Sequence, residues 1–495
     1  SGMAMAHWEI QGWMILILGW VFVPFYTRSM VYTMPEFLER RYNPQSRTIL
    51  SVISLVSYVL TKVAVTVYAG GLVFQQVFGI KELWGIDFFW IAAIGLVVLT
   101  ALYTIFGGMK SVLYTSVLQT PILLLGSLII LVLGFKELGG WDEMMRVCGA
   151  VTVNDYGDTM TNLIRSNDDA NFPWLGALIG SAIIGFWYWC TDQFIVQRVL
   201  SGKNEMEARR GTIFGAYLKL LPVFLFLIPG MIAFALHQKY IGAGGEGFLP
   251  MLANGTANAD AAFPTLVAKL LPAGVKGLVV CGILAALMSS LASLFNSSAM
   301  LFTIDFYKRF RPETPEKKLV GIGQVATVVI VILGILWIPI MRSVGDVLYT
   351  YLQDVQSVLA PGIAAAFLLG ICWKRTSAQG GMWGLIAGMV IGLTRLGAKV
   401  YYSNAGEVAD STFKYLFYDM NWLFFCGWMF LFCIIVVIVV SLATKAPTAE
   451  KIQGLVFGTA TKEQKAATRA SWNHWDIIHT VIILAITGAF YWYFW

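Results

Sequence analysis

The sequence predicts an all-α polytopic membrane protein, and two observations carry this prediction. Apolar residues make up 58% of the 495-residue chain and charged residues only 13%, whereas about a quarter of the residues of a soluble globular domain are charged. Apolar stretches long enough to cross the ~30 Å hydrocarbon core of a bilayer as helices follow one another along the chain. This composition excludes a soluble domain, and the net charge of +6 gives no argument for nucleic-acid binding.

Twelve apolar stretches define the predicted spans. They cover residues 8–26, 49–78, 88–106, 111–135, 174–197, 211–236, 274–306, 319–341, 345–373, 378–398, 421–443 and 473–495. Some contain helix-breaking residues, notably Pro222, Pro229-Gly230 and Pro361-Gly362. Such breaks are tolerated in a membrane where neighbouring groups or cavity water satisfy the freed backbone. A transporter or a channel therefore fits the pattern best.

Positive charge is distributed unequally between alternate loops. Most of the 34 Lys and Arg residues lie in the loops at 27–48, 107–110, 198–210, 307–318, 374–377 and 444–472, and loops rich in these residues stay in the cytoplasm.

Lys62 and Lys219 lie deep inside spans, where an unpaired ammonium costs at least a few kcal/mol. We therefore expect both lysines to hydrogen-bond a ligand or backbone carbonyls.

A membrane-length helix over residues 277–299 carries a group of neutral oxygen atoms. Its polar residues are Ser289, Ser290, Ser293, Asn296, Ser297 and Ser298. Ser289 and Ser293 share one face because residues four apart are neighbours on a helix, and a hydroxyl beside a backbone carbonyl suits a small hard cation. The pattern indicates a sodium site. The alternative is that these small residues only let two membrane helices approach and hydrogen-bond.

Aromatic and amide side chains gather at residues 186–198, which read Phe-Trp-Tyr-Trp-Cys-Thr-Asp-Gln-Phe-Ile-Val-Gln-Arg. The apolar face of a pyranose stacks on Tyr or Trp, and its hydroxyls need donors and acceptors such as Gln, Asn and Lys in a largely dry pocket. A single Trp has an alternative place in the aromatic belt at the membrane interface. Asp192 and Gln193 inside a span are not explained by such a belt.

Motifs of soluble catalysis do not occur in the chain. There is no Walker loop, no GxSxG elbow and no HExxH, so a membrane enzyme is not indicated. The six cysteines form no CxxC or zinc spacing, which indicates neither a disulfide framework nor a metal cluster. Without a nucleotide site, a transporter must draw its energy from a gradient. Ion coupling is the remaining mechanism.

Five motifs occur in a fixed order along the chain. They are Gly19-Trp-Val-Phe-Val-Pro, Tyr32-Thr-Met-Pro-Glu-Phe, Trp187-Tyr-Trp-Cys-Thr-Asp-Gln, Leu287-Met-Ser-Ser-Leu-Ala-Ser-Leu-Phe-Asn-Ser and Leu301-Phe-Thr-Ile-Asp. Together they resemble the sodium/solute symporter family, specifically its sodium–glucose cotransporter branch. The resemblance extends from about residue 8 to at least residue 395. It implies a five-plus-five inverted-repeat symporter fold with extra C-terminal helices, in which two bundles enclose a midplane site and rock for alternating access.

The resemblance also implies the domain organisation. We expect one transmembrane transporter domain over residues 1–495, with an incomplete first repeat at 1–135, a second repeat at 174–373 and peripheral helices at 378–495. The family's first core helix would precede the span at 8–26. We therefore expect that helix to be missing from this chain.

Site residues follow from the same resemblance. In the family, sodium is held by a carbonyl and two hydroxyls of the serine helix, which implies Ala286, Ser289 and Ser290 in this chain. The implied sugar contacts are Lys62, Lys219 and Gln353, with Tyr188 as a stacking gate and Trp189 beside it. An ungapped alignment on Gly19-Trp20 places the family's sugar-binding Glu one residue from Glu9, so Glu9 and its neighbour Gln11 are added as expected contacts.

Two positions depart from the family pattern. Ser116, in Tyr114-Thr-Ser, stands where the family has an Asp associated with a second sodium site, so it argues for one sodium per sugar. Gly185 stands where relatives carry a polar sugar contact, which leaves the identity of the sugar open.

The outer stretches at 136–173 and 237–273 are predicted loops. Within the second, Phe263-Pro-Thr-Leu-Val-Ala-Lys-Leu-Leu-Pro is predicted to form a short interfacial helix, which could act as a lid. The cytoplasmic stretch 446–472 is predicted to be a solvated linker.

The sequence therefore predicts a symporter that imports sodium and a glucose- or galactose-like monosaccharide together. The alternatives are a sodium symporter for inositol or sialic acid, or a sugar sensor or leak channel without coupled transport. We expect a multi-pass protein of the plasma membrane, that of a bacterium rather than a eukaryote. Its expected partners are sodium, a small sugar and lipid.

Overall fold

The protein is almost entirely helical in a computed structural model, which describes residues 2–252, 255–344, 348–404 and 409–495, without the side chains of residues 103, 105–113, 115, 118 and 342–344. The helices are α1 Gly2–Ser29, α2 Met34–Arg41, α3 Pro44–Phe78, α4 Phe88–Leu138, α5 Trp141–Gly149, α6 Trp174–Thr191, α7 Gln193–Leu200, α8 Glu205–Gly242, α9 Ala262–Leu270, α10 Ala273–Phe310, α11 Glu316–Val344, α12 Leu348–Cys372, α13 Ala378–Asn404, α14 Trp422–Ala443, α15 Lys462–Ala470 and α16 His474–Tyr493. Short helical turns lie at Ala259–Ala261, Thr412–Lys414, Tyr415–Asp419 and Ala449–Lys451, and one hairpin pairs β1 Glu82–Leu83 with β2 Ile86–Asp87.

Within those ranges, eleven helical stretches are long and apolar enough to cross a membrane. The remaining predicted span, at 88–106, falls in the first part of α4, where Phe88–Leu102 is a shorter apolar helix. The loop predicted at 107–110 is wrong for this structure, because α4 is helical without a break over its 51 residues. The loop was predicted only as the gap between the spans at 88–106 and 111–135. Glycine in a helix interior, as at Gly107-Gly108, costs only about 1 kcal/mol and does not by itself end the helix.

Loops predicted to be cytoplasmic lie together at one end of the bundle. The Arg28 guanidinium after α1 donates to the Thr468 hydroxyl of α15 at 2.7 Å. Lys451 donates to the backbone carbonyl of Glu39 in α2 at 2.9 Å. These contacts join the basic stretches 27–48 and 444–472, which are more than 400 positions apart. Arg209, Arg309 and, beside the loop at 374–377, the Trp373 carbonyl make further contacts with these two stretches, so five of the six predicted basic loops lie at this end.

The alternate loops meet at the opposite end. The backbone N–H of Met3 donates to the Met160 carbonyl at 2.8 Å, and Asn421 donates to the Ala170 carbonyl at 2.7 Å. The start of α1, the segment after α5 and the start of α14 are therefore neighbours. This two-ended arrangement is the one that the charge pattern predicts.

Two helix irregularities lie at Lys62 and at the aromatic stretch 186–198, which the sequence analysis singled out. Wide turns with i→i+5 hydrogen bonds interrupt α3 at Tyr58–Val63 and end α6 at Phe186–Thr191. Between α6 and α7, Asp192 has extended backbone and its carboxylate accepts from the N–H of Phe194 at 3.2 Å. Wide turns of this kind and discontinuous membrane helices are common at functional sites.

Two predictions about loops can be compared with the structure. The short helix predicted from Phe263 is confirmed, since α9 covers Ala262–Leu270. The predicted linker at 446–472 contains a helix, α15, which begins with a reciprocal cap between Thr461 and Gln464. None of the residues of α15 is buried, but Leu455 and Val456 before it are buried, and the N–H of Phe457 donates to the Ile371 carbonyl at 2.9 Å. The prediction of a solvated linker therefore holds for α15 and is wrong for residues 455–457.

Candidate functional site

Glu9 and Lys219, two of the predicted sugar contacts, meet across α1 and α8. Lys219 Nζ donates to Glu9 Oε2 at 2.8 Å, and Glu9 Oε1 accepts from the Tyr349 hydroxyl of α12 at 2.8 Å. The Lys219 ammonium also lies 5.7 Å from the ring centroid of Trp189 in α6. These four residues, together with Gln353, form what we call the Glu9 cluster. Four helices thus bring an anion, a cation, a phenol and an indole into one place.

Gln353 lies one helical turn after Tyr349 on α12, and residues four apart share a helix face. Its side chain is 8% exposed. Its Oε1 atom is buried and has no hydrogen-bond partner within the described part of the chain. A buried acceptor left without a donor costs about 1–3 kcal/mol. This carbonyl is therefore an acceptor that a ligand hydroxyl can satisfy.

Lys62 belongs to a second ion pair. Its ammonium contacts the Asp192 carboxylate, whose Oδ1 atom accepts from the Tyr58 hydroxyl at 2.9 Å. Aromatic rings surround the ammonium, with the centroid of Phe194 at 4.2 Å and that of Tyr188 at 5.1 Å. These five residues form what we call the Lys62 cluster. They tie the middle of α3 to the break between α6 and α7.

Tyr188 and Trp189 connect the two clusters. Their ring centroids are 5.1 Å apart in an edge-to-face arrangement, which is a favoured geometry for aromatic pairs. Lys62 lies over the Tyr188 ring and Lys219 over the Trp189 ring. The predicted gate residue and its neighbour therefore sit between the two predicted lysines.

Gln11 is placed differently from Glu9. Its side-chain amide donates to the backbone carbonyl of Ser181 in α6 at 2.9 Å, and the residue is 3% exposed. A Cβ atom at Gly185 would lie 2.6 Å from Gln11 Oε1, so the amide occupies the space that a side chain at position 185 would need. Positions 11 and 185 are therefore in direct contact, and the Gln11 side chain packs α1 against α6.

The serine helix α10 divides its hydroxyls between two sides. The Ser289 hydroxyl lies 2.6 Å from that of Ser116 in α4, and Ser289 is buried. Ser293 is also buried and accepts from the Arg198 guanidinium of α7 at 2.6 Å. Ser290 is exposed, and Ala286, one turn earlier, is half-buried. Of the three predicted sodium ligands, Ser289 therefore faces α4 while Ser290 lies on an open side of α10.

The chemistry of α10 is that of neutral oxygen atoms. Among the side chains that the structure describes, no three His, Cys, Asp or Glu residues are grouped as a site for a transition metal would need. Hydroxyl and carbonyl oxygens are ligands for hard cations. The Ser116–Ser289 contact also places position 116 directly beside the predicted sodium ligand, so a carboxylate at 116 would add charge there.

Some members of these clusters were not foreseen in the sequence. Tyr349 was missed, although its position four residues before Gln353 on one helix face was a usable signal. Asp192 was noted, but its pairing with Lys62 was not, and neither was the Tyr58 hydroxyl. Such pairs are separated by more than 100 positions, and a single sequence carries no signal for them.

The fold and the buried polar clusters define an ion-coupled secondary transporter built from discontinuous membrane helices. The chain matches the model of the sodium:solute symporter family over residues 1–388. It therefore belongs to the sodium:solute symporter family, whose members are transporters and not enzymes. Family membership implies sodium as the coupling ion.

Relatives of known function are sugar and inositol transporters. The sodium/mannose cotransporter of Bos taurus is 36% identical over 97% of this chain and 83% of its own length. Sodium/myo-inositol cotransporter 2 of Homo sapiens is 35% identical over 93% of this chain and 69% of its own length. Sodium/glucose cotransporter 1 of Ovis aries is 37% identical over 87% and 67%. These animal relatives support a multi-pass membrane protein and do not favour the bacterial membrane that we expected.

A solved structure shares the fold. It is that of a Na⁺-coupled sialic acid symporter in a substrate-bound outward-open state, with a TM-score of 0.67 and 21% sequence identity over 89% of this chain and 84% of that chain. At this identity the likeness concerns the fold alone. The predicted all-α symporter fold is thereby confirmed.

Proposed function

We propose that this protein imports a neutral monosaccharide together with sodium by alternating access, and that the Glu9 cluster is its sugar site. The observation that supports this proposal most is the convergence from four helices of the partly buried Glu9, Lys219, Tyr349 and Trp189 beside the buried Gln353. These groups supply both donors and acceptors beside an aromatic face, which is the combination that a sugar requires. The sugar and inositol substrates in the names of the relatives point to the same class of ligand.

Each member of the cluster has a distinct role in this proposal. The Glu9 carboxylate accepts from sugar hydroxyls and the Lys219 ammonium donates to them. The Gln353 amide accepts one hydroxyl through its carbonyl and donates to another through its N–H groups. The Trp189 ring offers its face to the C–H side of the pyranose. Because Glu9 and Lys219 neutralise each other, the site carries no excess positive charge for an acidic sugar. This charge balance favours a neutral monosaccharide over sialic acid.

Sodium binds on α10 in the same proposal. Its ligands are the Ala286 carbonyl and the hydroxyls of Ser289 and Ser290, which are oxygen donors of the kind that a hard cation prefers. Ser116 offers a neutral hydroxyl to Ser289, so that position supplies no carboxylate for a second cation. One sodium therefore accompanies each sugar, and sugar uptake rises hyperbolically with sodium concentration.

Tyr188 acts as the gate beside the sugar, and the Lys62 cluster holds it. The Lys62–Asp192 pair fixes the break between α6 and α7, which carries Tyr188 and Trp189 at its end. Lys62 therefore acts on the sugar through Tyr188 and the helix break. A rotation of the α6–α7 segment would move the gate and the stacking ring together.

The proposal is tested by sodium-dependent uptake in proteoliposomes. Purified protein is reconstituted, and accumulation of labelled glucose, galactose, mannose, myo-inositol and sialic acid is measured with an inward gradient of sodium and, as control, of potassium. We expect accumulation of at least one neutral monosaccharide with sodium and none with potassium. Accumulation of sialic acid or myo-inositol alone would contradict the substrate class. Sugar-induced current without accumulation would identify a sensor or a channel instead.

A further inference from the structure

A partly buried ion pair lies outside both clusters, between α12 and α13. The Lys399 ammonium contacts the Asp354 carboxylate, and the two side chains are 19% and 13% exposed. Asp354 directly follows Gln353, the α12 member of the Glu9 cluster. Consecutive residues on a helix point about 100° apart. One short segment of α12 is therefore held on one side by α13 and faces the sugar site on another.

The ion pair continues a close seam between the two helices. A Cβ atom at Gly392 would lie 2.2 Å from the Val358 carbonyl oxygen, and one at Gly388 would lie 2.6 Å from the Cα atom of Gly362. These glycines let the backbones of α12 and α13 approach closely. The contacts run antiparallel along the helices, from Gly362 past Val358 to Asp354. The ion pair is the outermost of them.

The outer half of α12 needs support from outside. Pro361 lies within α12, and proline removes one backbone hydrogen bond of the preceding turn and bends a helix. The segment before Pro361 carries both Tyr349 and Gln353. Its orientation is thus less firmly set by its own helix than that of an unbroken segment would be.

Helix α13 is itself anchored by a second basic residue on the face that carries Lys399. Arg395, one turn before Lys399, is fully buried and donates to the carbonyls of Leu416 at 3.2 Å and Met420 at 2.6 Å. Its guanidinium carbon lies 4.1 Å from the ring centroid of Phe425. The outer turn and α14 therefore hold α13 in place, and Lys399 extends from this fixed element to α12.

We infer that Lys399 is a positioning residue for sugar binding, which it supports by holding Asp354 and thereby fixing the rotation of the outer half of α12. Tyr349 and Gln353 then face Glu9 and the sugar. The inference rests on the proposed function of the Glu9 cluster. It assigns a role in sugar recognition to a peripheral helix, α13, which acts on the cluster through α12.

The test compares Lys399→Met with a double charge exchange, Asp354→Lys with Lys399→Asp. For Lys399→Met, we expect the half-saturating sugar concentration to rise about five- to tenfold, as for the loss of one hydrogen bond to the sugar. The maximal uptake rate and the sodium concentration for half-maximal uptake should stay unchanged. The charge exchange should restore most of the sugar affinity. Lys414→Met is the matched control, since Lys414 pairs with the exposed Asp410, and it should behave as wild type.

The outcomes separate the possible failures. Wild-type sugar affinity in a folded Lys399→Met protein would overturn the inference, and so would a charge exchange that folds but restores nothing. If Lys399→Met does not fold, Asp354→Asn takes its place, because it breaks the same ion pair from the other side: an altered half-saturating sugar concentration with unchanged sodium dependence supports the inference, and a wild-type value contradicts it. Absence of sugar uptake by the wild-type protein in the same preparation would contradict the proposed function itself.

Discussion

Two lysines in the middle of the protein, Lys219 and Lys62, make ion pairs of different character. The Lys219 and Glu9 side chains are 16% and 22% exposed, whereas those of Lys62 and Asp192 are 9% and 2% exposed. The second pair is also surrounded by aromatic rings. An ion pair that borders accessible space can exchange hydrogen bonds with a ligand. A dry ion pair whose oxygens are already bonded is costly to open, because each separated charge loses its compensation.

Because of this difference, we expect the two lysines to have different roles, one in binding the sugar and the other in holding the helix break. The family resemblance implied that both lysines contact the sugar. Both lie deep inside predicted membrane spans, so the sequence alone did not distinguish their roles. The surroundings favour Lys219 as the direct contact and Lys62 as the residue that holds the helix break beside Tyr188. Two variants, Asp192→Asn and Lys219→Met, test that division, and two more, Ser290→Ala and Asp260→Asn, test the surrounding sites. They follow from the largest expected effect to the smallest.

The largest effect is expected for Asp192→Asn, which removes the charge that compensates Lys62. Removing one partner of a buried ion pair costs about 3–5 kcal/mol, so the variant should unfold at a much lower temperature or fail to fold. The measurement is thermal unfolding in detergent, with Glu9→Gln as the matched variant of the more open pair. A Glu9→Gln protein that loses as much stability as Asp192→Asn would remove the distinction between the two pairs.

A smaller and more selective effect is expected for Lys219→Met. Loss of a charged donor to a sugar hydroxyl should weaken sugar binding by about 1.5–3 kcal/mol, with a modest change in thermal stability because the pair is partly exposed. Titration of purified protein with sugar at saturating sodium measures the affinity. Lys276→Met serves as control, since Lys276 donates to the Ala268 carbonyl near a span end. Equal losses in both variants would argue against a direct contact by Lys219.

Sodium affinity should respond to α10 and not to the lysine pairs. If Ser290 binds sodium as proposed, Ser290→Ala removes one ligand oxygen, and the sodium concentration for half-maximal uptake should rise about fivefold, which corresponds to about 1 kcal/mol. Ser297→Ala is the control on the same helix, because the Ser297 hydroxyl donates to the Ser293 carbonyl. Unchanged sodium dependence in a folded Ser290→Ala protein would remove Ser290 from the site.

The smallest effect concerns pH and the start of α12. Both carboxylate oxygens of Asp260 accept from the N–H of Leu348 at 3.1 Å, next to Tyr349, and burial raises the pKa of Asp260 to about 6. A raised carboxyl pKa means that the neutral form is favoured in the folded state. The contribution to stability is thus complete below about pH 4 and is lost as the pH rises through 6.

For a half-buried carboxyl we expect this loss to stay below about 1 kcal/mol. Asp260→Asn should flatten the dependence of the unfolding temperature on pH between 4 and 7. The measurement is thermal unfolding of both proteins across that range. If the unfolding temperature of the wild-type protein rises with pH in this range, and the rise disappears in Asp260→Asn, the expected direction of the effect is wrong.

The sequence predicted the parts that depend on local pattern. Apolar length located the spans, the charge distribution separated the two ends, and the short helix at α9 followed from its own apolar pattern. The loop predicted at 107–110, between two apolar stretches, was wrong because the helix continues through it. Local composition could not decide between a turn and a continuous helix there.

The candidate site was predictable only in part. The alignment placed the sugar-binding Glu one residue from Glu9, so Glu9 could be named as a candidate. Its contact with Lys219 joins residues 210 positions apart and could not be foreseen. The pairings of Lys62 with Asp192 and of Lys399 with Asp354 depend on how helices cross, which a single sequence does not record. Gln11 shows the same limit, because the space it fills beside Gly185 exists only in the packed structure.

The central claim is that the Glu9 cluster binds the sugar, and Gln353→Glu tests it most directly. The change keeps the size of the side chain, removes a donor and adds a negative charge beside Glu9. Sugar affinity at saturating sodium and sodium affinity without sugar are both measured on the purified variant, with the sugar identified by the uptake panel. We predict that sugar binding weakens by about 1–3 kcal/mol while sodium binding stays nearly unchanged. An equal loss of both affinities, or a loss of neither, would contradict a sugar site at this cluster.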